Sequence, residues 1–276
     1  MASPLPHDHD HDHSHESSIN WERVQGWVQT GIMFLLALYL IDLSLPGGNL
    51  PNYINIVNFA WLTWVGAFIL LAVAALNTYE LLRQAEHDHA HHHHHDHEHD
   101  HGQAGSWASW AFLAVAAIPL VIGLGIPSES LGADAVGDLD TDIRAIGFGG
   151  SGSFAEIAPE NRNLLDWVRA FSVSSDLSEF VGQPVNLTGF VYKDARFAGT
   201  PDFMLVRFTL NCCVADARPL GLIIEPGELA ANFEQDTWLN IRGHIEIDVI
   251  DGVQTPVIIP ESLEITPEPE QPYLYF

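Results

Sequence analysis

Apolar and polar positions change their spacing twice along this chain of 276 residues. The first 20 residues carry no apolar face; His7, His9, His11, His13 and His15 alternate with Asp8, Asp10 and Asp12. Three apolar blocks follow, at about Val24–Leu45, Tyr53–Tyr79 and Trp107–Ile126. Each is near the ~20 residues that cross a bilayer core as a helix. Trp21, Trp27, Tyr53, Tyr79, Trp107 and Trp110 sit near their ends, where an aromatic belt meets the membrane interface. Pro46 to Asn49 reads as a turn between the first two blocks. Pro119 falls inside the third, which a membrane helix tolerates.

Beyond Ile126 the spacing loses its regularity. Residues 127–158 are rich in Gly, Asp and Ser and read as a flexible linker. Asp138, Asp140 and Asp142 alternate as in a calcium loop, but the Gly and distal Glu of an EF-hand are missing at the required spacing. Leu164, Leu165, Val168 and Phe171 then recur at helical spacing within residues 160–171. From Gln183 onward the period becomes two. Strands are expected at Val185–Tyr192, Met204–Val214, Leu220–Ile224, Trp238–Val249, Val257–Ile259 and Leu263–Ile265. Asp251-Gly252 marks a hairpin turn.

The expected fold is therefore an α-helical membrane anchor plus an all-β domain. Three transmembrane helices precede a small OB-like Greek-key barrel, with a small sandwich as the alternative. The segments are a His/Asp-rich tail (1–22), the helical region (23–126, with a His-rich loop at 80–106), the linker (127–158) and the β domain (159–276).

Composition narrows the function. Only 10 Lys and Arg stand against 36 Asp and Glu, a net charge of −26. Nucleic acid and anionic lipid headgroups, which need clustered cations, are excluded as partners. Arg23 and Arg83 both lie on one side of a hairpin formed by the first two spans. The positive-inside bias makes that side cytoplasmic and puts the β domain outside.

Residues 87–101 hold His87, His89, His91, His92, His93, His94, His95, His97, His99 and His101 among acids. Neutral imidazole ligates Zn and other divalent transition metals. The run has no fixed spacing, so it reads as a metal buffer rather than one tetrahedral site.

The two cysteines, Cys212 and Cys213, are adjacent and followed by Asp216 and Arg218. On a strand one would face the core and the other outward. Three readings stand: a structural feature, a soft-ion thiol site, and a redox pair. The last is disfavoured by the strain of a disulfide between adjacent cysteines and by the lack of a helix N-terminus to lower a thiol pKa. Asp216 and Arg218 could join Arg207 or Arg242 in a polar cluster. His244 reads as a half-buried strand residue. No nucleophile elbow, P-loop, dinucleotide fingerprint or HExxH run is present, so no enzymatic activity is expected.

Cys212-Cys213 with Ala215-Asp216-Ala217 and Pro219 matches a CC-x-ADA-x-P signature. Gly189-Phe190-Val191-Tyr192, Trp238 to Gly243 and Pro272-Tyr273-Leu274-Tyr275 accompany it, with Ile118-Pro119-Leu120 and Gly125-Ile126-Pro127 in the membrane part. In these residues the chain resembles the YcgQ-type family of bacterial membrane proteins, described as permease subunits. The resemblance implies a bacterial plasma-membrane location and a separate polytopic permease as partner. A metal-handling membrane protein without such a partner is the alternative.

Overall fold

The computed structural model describes residues 21–88, 105–126, 128–138, 157–250 and 252–276. The N-terminal His/Asp tail and most of the His-rich loop lie outside these residues. His87 falls on a described helix turn, but the other nine expected metal ligands do not.

Three long helices come first: α1 (Trp21–Ser44), α2 (Ile56–Asp88) and α3 (Gly105–Gly125). They contain stretches of 22, 29 and 19 residues that are long and apolar enough to cross a membrane. Large apolar side chains such as Phe34, Trp61, Phe68, Phe112 and Val121 stay exposed on them. Such surface is stable against lipid tails or other helices, not against water. Helix α3 runs through Pro119 without ending.

The chain forms two compact units. One takes residues up to Ala37 together with Phe68–Val121. The other joins Leu38–Ala67, which carries the α1–α2 connection, to Ile122–Phe276.

In the second unit a short helix α4 (Ala133–Asp138) and a 10-residue helix α5 (Leu164–Val173) precede the strands. These are β1 (Pro184–Tyr192), β2 (Phe203–Leu210), β3 (Arg218–Ile224), β4 (Trp238–Ile250), β5 (Val253–Ile265) and β6 (Leu274–Tyr275). They follow the order β1-β4-β5-β3-β2, and β2 pairs with β1 again to close a five-stranded barrel. Only β3–β5 is parallel within the ring. This is the OB-like Greek-key barrel expected from the strand spacing.

Leu187, Leu205, Leu220, Ile224, Leu239, Ile241 and Ile258 fill the barrel. Helix α5 closes one opening. Its N-cap Asn163 and Asp166 form a capping box, and Leu164, Leu165, Trp167 and Val168 turn inward. The Trp167 ring is fully buried, stacked on Phe171 and edge-on to Phe180.

A second core lies on the outer face of the same sheet. Met204, Val206, Phe208 and Leu210 alternate with the inward residues of β2 and are covered by Ala133 and Val136 of α4 and by Tyr273. Strand β2 is thus buried on both faces.

Three expectations change. Residues 128–138, expected in the linker, include a helix packed on the barrel. Asp236 holds its start, accepting the Ala133 N–H at 2.5 Å from a left-handed backbone (φ 64). The two short strands expected around Pro260 are one strand, β5. Its register slips between Arg242 and Gly243, so that Pro260 faces Gly243 and Ser262 faces Arg242. A bulge is where a sheet accepts a proline, and here it does not break the strand. Finally, β2 ends at Leu210, before both cysteines.

Candidate functional site

The end of β2 explains where the cysteines go. Asp216 turns back beneath the chain and accepts the backbone N–H of Asn211 (3.0 Å) and of Cys212 (2.8 Å). Both carboxylate oxygens are engaged. The Asp216 N–H in turn donates to the Cys213 carbonyl, and that of Ala217 to the Val214 carbonyl. These bonds take the place of the β2–β3 ladder. The loop 211–217 therefore leaves the sheet as a rigid turn.

The freed edge of this turn pairs with the membrane hairpin. Ile54, in the α1–α2 connection, forms an antiparallel bridge with Cys213. The Asn55 N–H donates to the Cys212 carbonyl at 3.0 Å, and the Val214 N–H to the Tyr53 carbonyl at 2.9 Å. Asn55, only 1% exposed, connects both sides. Its amide nitrogen donates to the Asn211 carbonyl at 3.0 Å. Its amide oxygen accepts the N–H groups of Val57 and Asn58, capping α2. An N-cap side chain satisfies otherwise orphaned helix N–H groups, and here the same residue holds the cysteine loop.

The tail adds a second tie. The Tyr273 hydroxyl accepts the Leu131 N–H at 2.9 Å and donates to the Asn52 carbonyl at 3.3 Å. Asn52 reaches the Ser128 carbonyl through its own amide. Arg207 lies under this tail. Its guanidinium donates to the carbonyls of Pro272, at 3.0 Å, and Gln271. Burial pulls its pKa below the ordinary value. The polar cluster anticipated around Asp216 is accordingly not built from Arg207. Arg218 opens β3 as an exposed residue whose carbonyl accepts from Thr209.

Neither cysteine enters the core. Cys212 is exposed, Cys213 is half-buried, and both are free thiols. Desolvation pushes the Cys212 pKa up, aided by Cys213 and by the Asp216 carboxylate. A thiol held protonated is a poor nucleophile. Among the described residues no group of three or more His, Cys, Asp or Glu side chains is placed to hold a metal ion. His244 sits half-exposed on β4 between Glu246 and Glu261, with N–O distances of 3.6 and 3.4 Å.

A cavity of about 490 Å³ opens between the β1–β2 and β3–β4 connections, lined among others by Lys193, Phe197, Asp202, Phe203 and Phe233. It lies at the start of β2, whereas the cysteine loop lies at its end.

Residues 28–140 match the model of the DUF1980 N-terminal domain, and residues 154–276 that of the DUF1980 C-terminal domain. The chain carries the DUF1980 pair. No curated protein and no solved structure matches it. The DUF1980 N-terminal match takes in most of α1 and all of α2 and α3, and the C-terminal match covers the barrel with its cysteine loop.

Sequence reasoning had singled out Cys212, Cys213 and Asp216. It missed Asn55 and Asp236, and took Tyr273 only as part of the Pro272-Tyr273-Leu274-Tyr275 segment, without a role. An Asn directly before an apolar helical run was a visible capping signal for Asn55. Its second bond, to a residue 156 positions away, has no local signal.

Proposed function

We propose that this DUF1980 protein is a membrane-anchored accessory subunit of a two-part permease, with its barrel on the extracytoplasmic face and no enzymatic activity of its own. One observation carries the reading. The cysteine signature is built into the joint between the barrel and the membrane hairpin, through the pairing of residues 53–55 with 212–214. A domain fastened to its anchor in this way suits presentation to a neighbouring membrane protein.

Two further features support a partner. The spanning helices leave broad apolar surface for other helices. They also carry few ionisable groups; Asp42, the acid within the apolar stretch of α1, lies near the helix end. Intramembrane charges mark ion and substrate paths, so three such helices are a poor path by themselves and a larger permease would supply it. The family resemblance implies the same partner. Arg23 and Arg83 favour a cytoplasmic side for the N-terminus and the His-rich loop.

The test is affinity purification of the tagged full-length chain from native membranes in mild detergent, with mass spectrometry of what accompanies it. A stoichiometric polytopic membrane protein is expected. A chain that emerges alone, binding several equivalents of Zn that deletion of residues 87–101 removes, would replace this reading with metal handling.

A further inference from the structure

The two thiols at the joint have a chemistry that the accessory-subunit reading does not use. They are adjacent in the chain, outside the core and not joined as a disulfide. Their backbone is fixed from both sides. Asp216 holds the Cys212 N–H, Asn55 holds the Cys212 carbonyl, and Ile54 is bridged to Cys213. Chain entropy that a flexible pair would lose on binding has already been lost on folding.

We propose that Cys212 and Cys213 form a two-sulfur site for a soft, low-coordinate monovalent cation of the Cu(I) class. Thiolate sulfur selects soft ions. The coordination number follows from what surrounds the pair. Tetrahedral Zn needs four ligands, and among the described residues no group of three or more His, Cys, Asp or Glu side chains is placed to hold a metal ion. Asp216, the nearest acid in sequence, spends both oxygens on backbone N–H groups. Two sulfurs alone satisfy an ion that accepts two ligands.

Binding balances simply. Each thiol releases its proton to water and its sulfur donates an electron pair to the ion. Two protons leave, one Cu(I) enters, and no electron is transferred. Uptake is therefore coupled to pH and weakens in acid. The site also differs in kind from the His-rich run. That run offers imidazole and carboxylate, which suit divalent ions.

The experiment uses the full-length chain in detergent, reduced and kept anaerobic, and titrated with Cu(I) against a chromogenic Cu(I) chelator. The readout is the ultraviolet thiolate-to-metal charge-transfer band, which imidazole and carboxylate ligands do not produce. The expected result is about one equivalent of Cu(I) per chain with the band, as two thiolates holding one soft ion require. Cys212→Ser and Cys213→Ser should each abolish the band and weaken binding at least tenfold. Zn at the same concentration should not displace the ion.

Blocking both thiols of the folded wild-type chain with a maleimide is the second arm, and it does not depend on a variant folding. It should also remove the band. A band that survives in either Ser variant or after the maleimide overturns the proposal. So does wild-type chain that shows no band, or whose Cu(I) is displaced equally by Zn. Co-purification with a permease is unaffected by any of these outcomes, so this proposal and the accessory-subunit reading can fail separately.

Discussion

Asp216 gives the cysteine loop its shape. A carboxylate that accepts two backbone N–H groups makes charge-assisted bonds, stronger than neutral ones. Asp216→Ala leaves the Asn211 and Cys212 N–H groups without that partner. The expected cost is about 1–3 kcal/mol of stability, read as a lower unfolding midpoint in detergent. Glu225 works in the opposite sense. Desolvation first, then Asp248, Asp202 and Glu246, raise its pKa above the ordinary 4.5. An acid whose folded-state pKa is raised weakens the fold wherever it is ionised in both states. Glu225 therefore costs stability at neutral pH. The cost is relieved as pH falls through the raised pKa and is gone below the ordinary one. Glu225→Gln should stabilise the protein at neutral pH, and the gain should vanish at about pH 4. An equal gain at both pH values would show that repulsion among these acids is not the cause.

At the scale of elements, the joint between α2 and the cysteine loop is the informative one. Asn55→Ala removes an N-cap and a buried hydrogen bond together. The two losses suggest about 1–3 kcal/mol, measurable as earlier thermal unfolding and as faster proteolysis between the barrel and the helices. Faster proteolysis without a change in the barrel's own melting would locate the effect at the joint. The elements themselves were mostly legible. Period-two alternation in Val185–Tyr192 and Trp238–Val249 found β1 and β4 within a residue, because each strand has an inner and an outer face. Helix α4 was hidden by its composition, since Ala-Asp-Ala-Val-Gly-Asp carries little propensity and is held by Asp236 from a distant loop. Pro260 split β5 on paper, yet the bulge opposite Gly243 accommodates it. The candidate site was legible as a motif and not as a place. Nothing local to Cys212 and Cys213 names Tyr53, Ile54 or Asn55 as their neighbours.

For the whole molecule, the pairing of residues 53–55 with 212–214 sets the α1–α2 connection beside the barrel, and the orientation proposed above would put both on the extracytoplasmic face. The chain has two cysteines, and Cys212 is exposed, so the side of the barrel can be read directly. A membrane-impermeant maleimide should label intact cells carrying the wild-type chain, and labelling should drop sharply in Cys212→Ser. Labelling only after permeabilisation would overturn the proposed orientation. The three spans and the barrel were readable from length and period because burial in lipid and in a barrel imposes those patterns along the chain. How barrel and hairpin are fastened is a contact between distant segments, and no periodicity records it.

The bond between Asn55 and Asn211 also sets a schedule for making the protein. Its partners are 156 residues apart. At ribosomal speed the hairpin loop waits roughly 8–30 s before Asn211 is even translated. Throughout that interval the Asn52, Tyr53 and Asn55 backbone groups lack their final partners. Those groups are satisfied by water until the barrel strands have been made and folded against the loop.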